Sequence, residues 1–189
     1  MKRNIPFVTI VLVAVNVIVF FVMQSRGLIS TEGIFNYGGA NYEKIVGGEW
    51  WRLITSCFIH FNFEHLFFNM FSLFAIGSAI EPEGRIRFSV VYFVSGILGS
   101  VVSIYANHQM GVTVVSAGAS GAICGLVGYY IIRMIFESGR VSFQTLLRPL
   151  IAVVIVVSYG FTAGVDQAAH IGGMLAGAIV GLVFCLGKR

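Results

Sequence analysis

The sequence predicts an all-α integral membrane protein, six transmembrane helices in a single domain over residues 1–189. Three observations predict it. The chain is 57% hydrophobic and 11% charged, whereas soluble domains run near 45–50% apolar and about 25% charged. Its mean hydropathy is +0.89. Its apolar residues fall into runs near the ~20 residues that a helix needs to cross a bilayer, and the runs do not alternate as barrel strands would.

The predicted spans are about 5–24, 58–80, 87–107, 117–136, 147–162 and 167–186. The first follows Lys2 and Arg3 and could pass for a signal peptide. Its apolar run exceeds the 7–15 residues of a signal core, and polar Gln24-Ser25-Arg26 follows in place of a small-residue cleavage site, so it reads as an uncleaved span. The second opens with the polar residues His60, Glu64, His65 and Asn69, and the third follows Arg85 and Arg87. The fourth is rich in glycine and carries no charge from Ala117 to Ile132. The fifth is short and contains Pro149, a residue suited to a helix's first turn. The sixth begins with Asp166, Gln167 and His170.

Loop cations set the orientation. With a cytoplasmic N-terminus, the inner segments hold Lys2, Arg3, Arg85, Arg87, Arg133, Arg140, Arg148, Lys188 and Arg189, and the outer segments only Arg26, Lys44 and Arg52. The positive-inside rule favours this arrangement, with both termini cytoplasmic. The net charge of +4 forms no basic stripe, which excludes a nucleic-acid surface. Cys57, Cys124 and Cys185 show no CxxC and no metal spacing and read as small buried hydrophobes. No metal or cofactor is expected.

Spans two, four and six then run inward, so their polar N-terminal residues meet on the outer side. Such groups are costly in a bilayer and are functional suspects. At 1.5 Å per residue, Ser120 lies about 10 Å below the outer surface, and His170 nearer to it. Gly121 and Gly125 on the fourth span, and Gly173 and Gly177 on the sixth, form stripes of small residues four apart. Such stripes let helix backbones touch, which brings Ser120 and His170 to similar height. A serine hydroxyl becomes a nucleophile when a base such as histidine takes its proton. His65 and Asn69, four apart on one helix face, and the backbone N–H of Ser120 are candidate donors to an oxyanion. Each feature has an ordinary reading: serine bonding to its own helix, histidine bridging helices, glycine stripes as packing. Their coincidence at one level favours catalysis.

At these residues the sequence resembles the rhomboid family of intramembrane serine proteases. Trp51-Arg52 is similar to that family's WR pair, and His60 through Met70 to its HxxxxHLxFNM segment. Gly118-Ala119-Ser120-Gly121 resembles the GxSG motif, and Ala169-His170-Ile171-Gly172-Gly173 with Gly177 the AHxxGxxxG of the last helix. The resemblance implies a rhomboid-like bundle with a membrane-associated first outer loop. It implies Ser120 as nucleophile, His170 as general base, and His65, Asn69 and the Ser120 amide as the oxyanion site. Trp51 and Arg52 would anchor the outer loop, and Asp166 would cap the last helix rather than complete a triad. Substrates implied are single-span or polytopic membrane proteins, in a bacterial plasma membrane, with the site opening outward and no oligomeric state specified. One position departs from the pattern: four residues after the serine, where the family often has an aromatic ring, stands Cys124. An inactive rhomboid-like client binder would tend to lack Ser120 or His170, and a small transporter would tend to show inverted repeats, which this chain lacks.

Overall fold

A computed structural model describes residues 5–137 and 166–187, with Leu147 and Ile151 between them. The helices are α1 (Phe7–Ser25), α2 (Thr31–Tyr37), α3 (Tyr42–Val46), α4 (Arg52–Thr55), α5 (Phe63–Ile80), α6 (Arg85–Gln109), α7 (Ser120–Glu137) and α8 (Gln167–Leu186). Among the described residues there is no strand, only a single antiparallel bridge between Ala40 and Ser116. By length and composition α1, α5, α6 and α8 can each cross a membrane, and α7 is a shorter apolar helix. The predicted span at 147–162 lies outside the described residues, apart from helical Leu147 and Ile151.

Two predicted boundaries need correction. The second span does not begin at 58. Ser56–Phe58 form a 3-10 turn, Ile59 is extended, and α5 starts after Asn62, whose extended backbone and side chain cap the helix by accepting from the His65 N–H at 2.7 Å. His60 therefore sits in the link before the helix and not on its face. The fourth span does not begin at 117. Gly118 has φ +127°, a left-handed conformation that cannot continue a helix and that glycine tolerates best, so α7 starts at Ser120.

The helix ends follow from local chemistry. α1 closes at Gly27 (φ +68°), with the Leu28 N–H on the Met23 carbonyl at 2.9 Å and the Gly27 N–H on Gln24 at 3.0 Å, the paired bonds of a glycine-terminated helix. At its other end no side chain of its own caps it. The carboxylate of Glu81, 1% exposed, does so from across the bundle, accepting from the N–H groups of Val8 (2.8 Å) and Thr9 (2.7 Å) and from the Thr9 hydroxyl (2.8 Å). An anion at a helix N-terminus satisfies orphan donors and complements the dipole.

α7 is the central element. Every residue from Gly121 to Tyr130 is buried, as expected of a helix apolar all round. α6 and α8 pack on it, and α1 pairs antiparallel with α5. Leu73, Ile76, Phe88, Val91, Ile123 and Leu126 form the middle of the core. Ile10 and Ile18 of α1, and Leu175, Ile179 and Val183 of α8, point outward and are the faces that meet lipid. The chain is an integral membrane protein. The end that carries α2–α4 and the starts of α5, α7 and α8 is termed the upper end below.

Candidate active site

Glycines set the distance between helices here. A Cβ on Gly173 would fall on the Gly121 carbonyl, one on Gly177 on the Gly125 carbonyl, and one on Gly128 on the Met174 carbonyl. α7 and α8 thus lie backbone to backbone, in parallel. Without side chains between them, packing and not apolar transfer drives their association, since lipid tails are as apolar as any core. The α6 glycines escaped the sequence reading. A Cβ on Gly99 would lie 2.8 Å from the Ala169 carbonyl oxygen, and one on Gly96 2.9 Å from the Cys57 sulfur. Their spacing of three within a hydrophobic run was the available signal.

This approach brings Ser120 and His170 together. His170 Nε2 and Ser120 Oγ are 2.8 Å apart. His170 is buried and Ser120 half-buried. His170 Nδ1 has no hydrogen-bond partner among the described residues. Ser120 is the first residue of α7, where backbone N–H groups lack intrahelical acceptors.

His65 stands opposite. Its Cε1 and Nε2 atoms lie 2.8 and 2.9 Å from where a Gly118 Cβ would be, and Ser120 Oγ lies 3.8 Å from the same point. Gly118 is thus doubly required, for its backbone conformation and for the imidazole beside it. The His65 ring packs on Phe61, centroids 6.1 Å apart, and edge-on to His60 at 5.0 Å. His60 is fully buried, with neither ring nitrogen hydrogen-bonded among the described residues. It supports the His65 ring. Asn69 Nδ2 donates to the His65 carbonyl at 2.8 Å, leaving its second amide hydrogen available, because an amide carries two. Glu64 is exposed in the first turn of α5. Cys124 is buried one turn below Ser120, among the core residues of α7.

Asp166 does not touch the imidazole through its carboxylate. One oxygen caps α8, accepting from the Ala169 N–H at 3.0 Å, and the other accepts from the Ser103 hydroxyl of α6. Its link to His170 is the backbone bond from the His170 N–H to the Asp166 carbonyl, 3.3 Å. Ser103, which Asn107 secures through its carbonyl at 2.8 Å, is a site-positioning residue that the sequence did not flag.

The outer loop holds the strap that leads to Ser120. Ala40 and Ser116 exchange both backbone bonds at 2.8 Å, Asn41 Nδ2 donates to the Val114 carbonyl at 3.0 Å, and the Gly118 N–H to the Ser56 carbonyl at 2.9 Å. Arg52 organises the loop. Its guanidinium, 1% exposed, donates to the carbonyls of Phe35 (2.6 Å), Gly39 (3.0 Å) and Asn36 (3.3 Å) and to Glu49, which satisfies orphan carbonyls at the end of α2. The same hydrogen bond from Arg52 holds the Glu49 carboxyl below its usual range, with Lys44 adding to the effect. Trp51 lies under the Arg52 guanidinium, 4.8 Å from ring centre to Cζ.

The profile of the Rhomboid domain matches residues 47–187. The chain belongs to the rhomboid family. Among its curated rhomboid relatives, the putative rhomboid protease YdcA of Bacillus subtilis is 32% identical over 194 residues, covering 99% of this chain and 92% of the relative. The rhomboid protease GluP of the same organism is 33% identical over 177 residues, 91% of this chain and 34% of the relative. The rhomboid protease AarA of Providencia stuartii is 32% identical over 205 residues, 94% and 72% respectively. The chain therefore spans about a third of the length of GluP and most of the length of YdcA.

Proposed function

We propose that this rhomboid-family chain is an intramembrane serine endopeptidase that cleaves membrane protein substrates through an acyl-enzyme. The observation that carries the reading is the 2.8 Å contact between His170 Nε2 and Ser120 Oγ, made by two residues that stand at the starts of adjacent helices.

The chemistry follows from the geometry. With the proton on Nδ1, His170 Nε2 accepts from Ser120 Oγ and takes its proton as Oγ bonds to the scissile carbonyl carbon. The carbonyl electron pair moves onto oxygen. In this reading the His65 side chain, the second Asn69 amide hydrogen and the Ser120 N–H donate to that oxyanion, supported by the His65 ring lying beside Gly118 near Ser120 Oγ. On collapse, the His170 imidazolium gives its proton to the leaving amine and the C–N bond breaks. Water, deprotonated by the same Nε2, then hydrolyses the ester and frees Ser120. Asp166 is absent from these transfers, since both its oxygens are engaged elsewhere. A dyad suffices because packing, and not a third side chain, holds the imidazole.

A helical substrate hides its carbonyls in hydrogen bonds, so the reading includes substrates whose spans unwind locally near small residues. Both termini lie in the cytoplasm, the site opens to the outer side, and residues 147–162 supply the fifth of the six spans. Reconstituted protein with a labelled single-span substrate tests the reading. Wild type cleaves, and Ser120→Ala and His170→Ala do not. Cleavage that survives Ser120→Ala, or a fluorophosphonate that labels Cys124 in place of Ser120, refutes it.

A further inference from the structure

A groove between α1 and the outer loop has no part in the chemistry above. It measures about 350 Å³, the lower range of small-molecule sites. One wall is a stripe of α1, Val15, Val19, Val22 and Arg26, and the other includes Tyr37 of α2 and Phe58. Val15 and Arg26 are eleven residues apart, about 16 Å at 1.5 Å per residue. That is roughly half the thickness of a ~30 Å hydrocarbon core, the depth of one leaflet. The lining is apolar apart from Thr55, whose hydroxyl donates to the Gly38 carbonyl, and from Arg26 and Tyr37 at the loop end of the groove.

We propose that this groove is a phospholipid site, one acyl chain lying along Val15 and Val19 and the phosphate held by Arg26. Four features carry the assignment. The α1 side of the groove opens to the surroundings, since Val15 and Val22 are exposed, and on a membrane-spanning helix those surroundings are lipid. The mouth lies at headgroup level, because the same loop presents exposed Trp50, Trp51 and Tyr37, the residue types that settle at the membrane interface. The charge is available: Lys44 and Arg52 pair with Glu49, whereas Arg26 has no ion pair with a carboxylate among the described residues. A guanidinium binds a phosphate through two parallel hydrogen bonds, and Tyr37 supplies a further donor. The shape selects a chain over a helix. A helix of this length and about 10 Å diameter fills on the order of 1,000 Å³, well beyond the groove, while an extended acyl chain fits.

A lipid seated there braces the outer loop against α1, beside the strap that carries Ser120. The site is independent of whether the chain cleaves anything. The test uses the full chain, delipidated in detergent, with dioleoylphosphatidylglycerol added. Native mass spectrometry counts bound lipid, and thermal unfolding follows its effect. Wild type retains one lipid per chain, with a Tm rise that saturates at that ratio. Val19→Trp, which fills the groove, and Arg26→Gln, which removes the phosphate donor, each weaken retention about tenfold, and Arg26→Lys recovers part of it. Equal retention by wild type and Arg26→Gln overturns the proposal, and this variant at an exposed helix end decides even if Val19→Trp does not fold. Unchanged lipid retention in Val19→Trp, with loss of binding to a single-span peptide, overturns it in favour of a substrate-docking groove.

Discussion

Gly99→Ala separates the positioning of His170 from the stability of the bundle. The added Cβ would stand 2.8 Å from the Ala169 carbonyl oxygen and 3.3 Å from the Gly173 nitrogen, both backbone atoms of α8. Backbone cannot rotate aside as a side chain can. Comfortable contact needs about 3.5 Å, so the top of α8 must retreat by roughly 0.7 Å. His170 follows Ala169 directly and moves with it. Its 2.8 Å bond to Ser120 stretches to about 3.5 Å, outside the 2.7–3.2 Å range of effective hydrogen bonds. A 1 Å misplacement costs about a hundredfold in rate, so this one costs about tenfold. Stability changes less. Overpacking costs about 1–3 kcal/mol, and replacing glycine by alanine within a helix returns up to about 1 kcal/mol. The net loss is about 1 kcal/mol. The assay pairs thermal unfolding in micelles with kcat and KM on a labelled single-span substrate. A folded Gly99→Ala protein that cleaves at the wild-type rate refutes the reasoning, because the α6–α8 contact would then not set the height of His170.

Asp166→Ala removes the α8 cap and the grip of Ser103, and is expected to lower stability by about 1–2 kcal/mol and kcat more than KM. Asp166→Asn keeps a capping oxygen and recovers most of both. Glu81→Gln puts an amide N–H₂ where the α1 donors require an acceptor, and lowers stability by about 2–3 kcal/mol without changing the KM for substrate; thermal unfolding checks it. The outer loop loosens in acid. Arg52 depresses the Glu49 carboxyl, so the stabilisation is present above the unfolded value of about 4.3 and is lost as pH falls through the lower folded value. Trp50 and Trp51 fluorescence should report a transition below about pH 4.3 that Glu49→Gln abolishes.

The pattern of apolar runs determined the membrane class, and the first, third and last spans lie within about two residues of α1, α6 and α8 at each end. The errors fell at span starts, where hydropathy is blind to backbone conformation. Asn62 and Gly118 lie in the links that precede α5 and α7, and one polar residue or one glycine does not interrupt an apolar run when hydropathy is averaged over a span. Stripes of small residues made the α7–α8 contact legible, since spacing by four predicts a flat face. The third helix at that contact, α6, was not legible: Gly96 and Gly99 matter only because Cys57 and Ala169 come to lie against them.

Ser120, His170, His65 and Asn69 could be named from the sequence because polar groups in apolar spans are few and these share one level. The sequence by itself thus determined the solvent, the spans and the candidate chemical groups, all of which depend on residue type and local periodicity. Tertiary structure decided the distances. It alone engaged Asp166 with Ser103 and the α8 cap, buried Arg52 on the carbonyls of α2, and brought Glu81 to the start of a helix 72 positions earlier in the chain. Such pairings join residues remote in sequence, and only the packing of whole helices sets which polar groups meet.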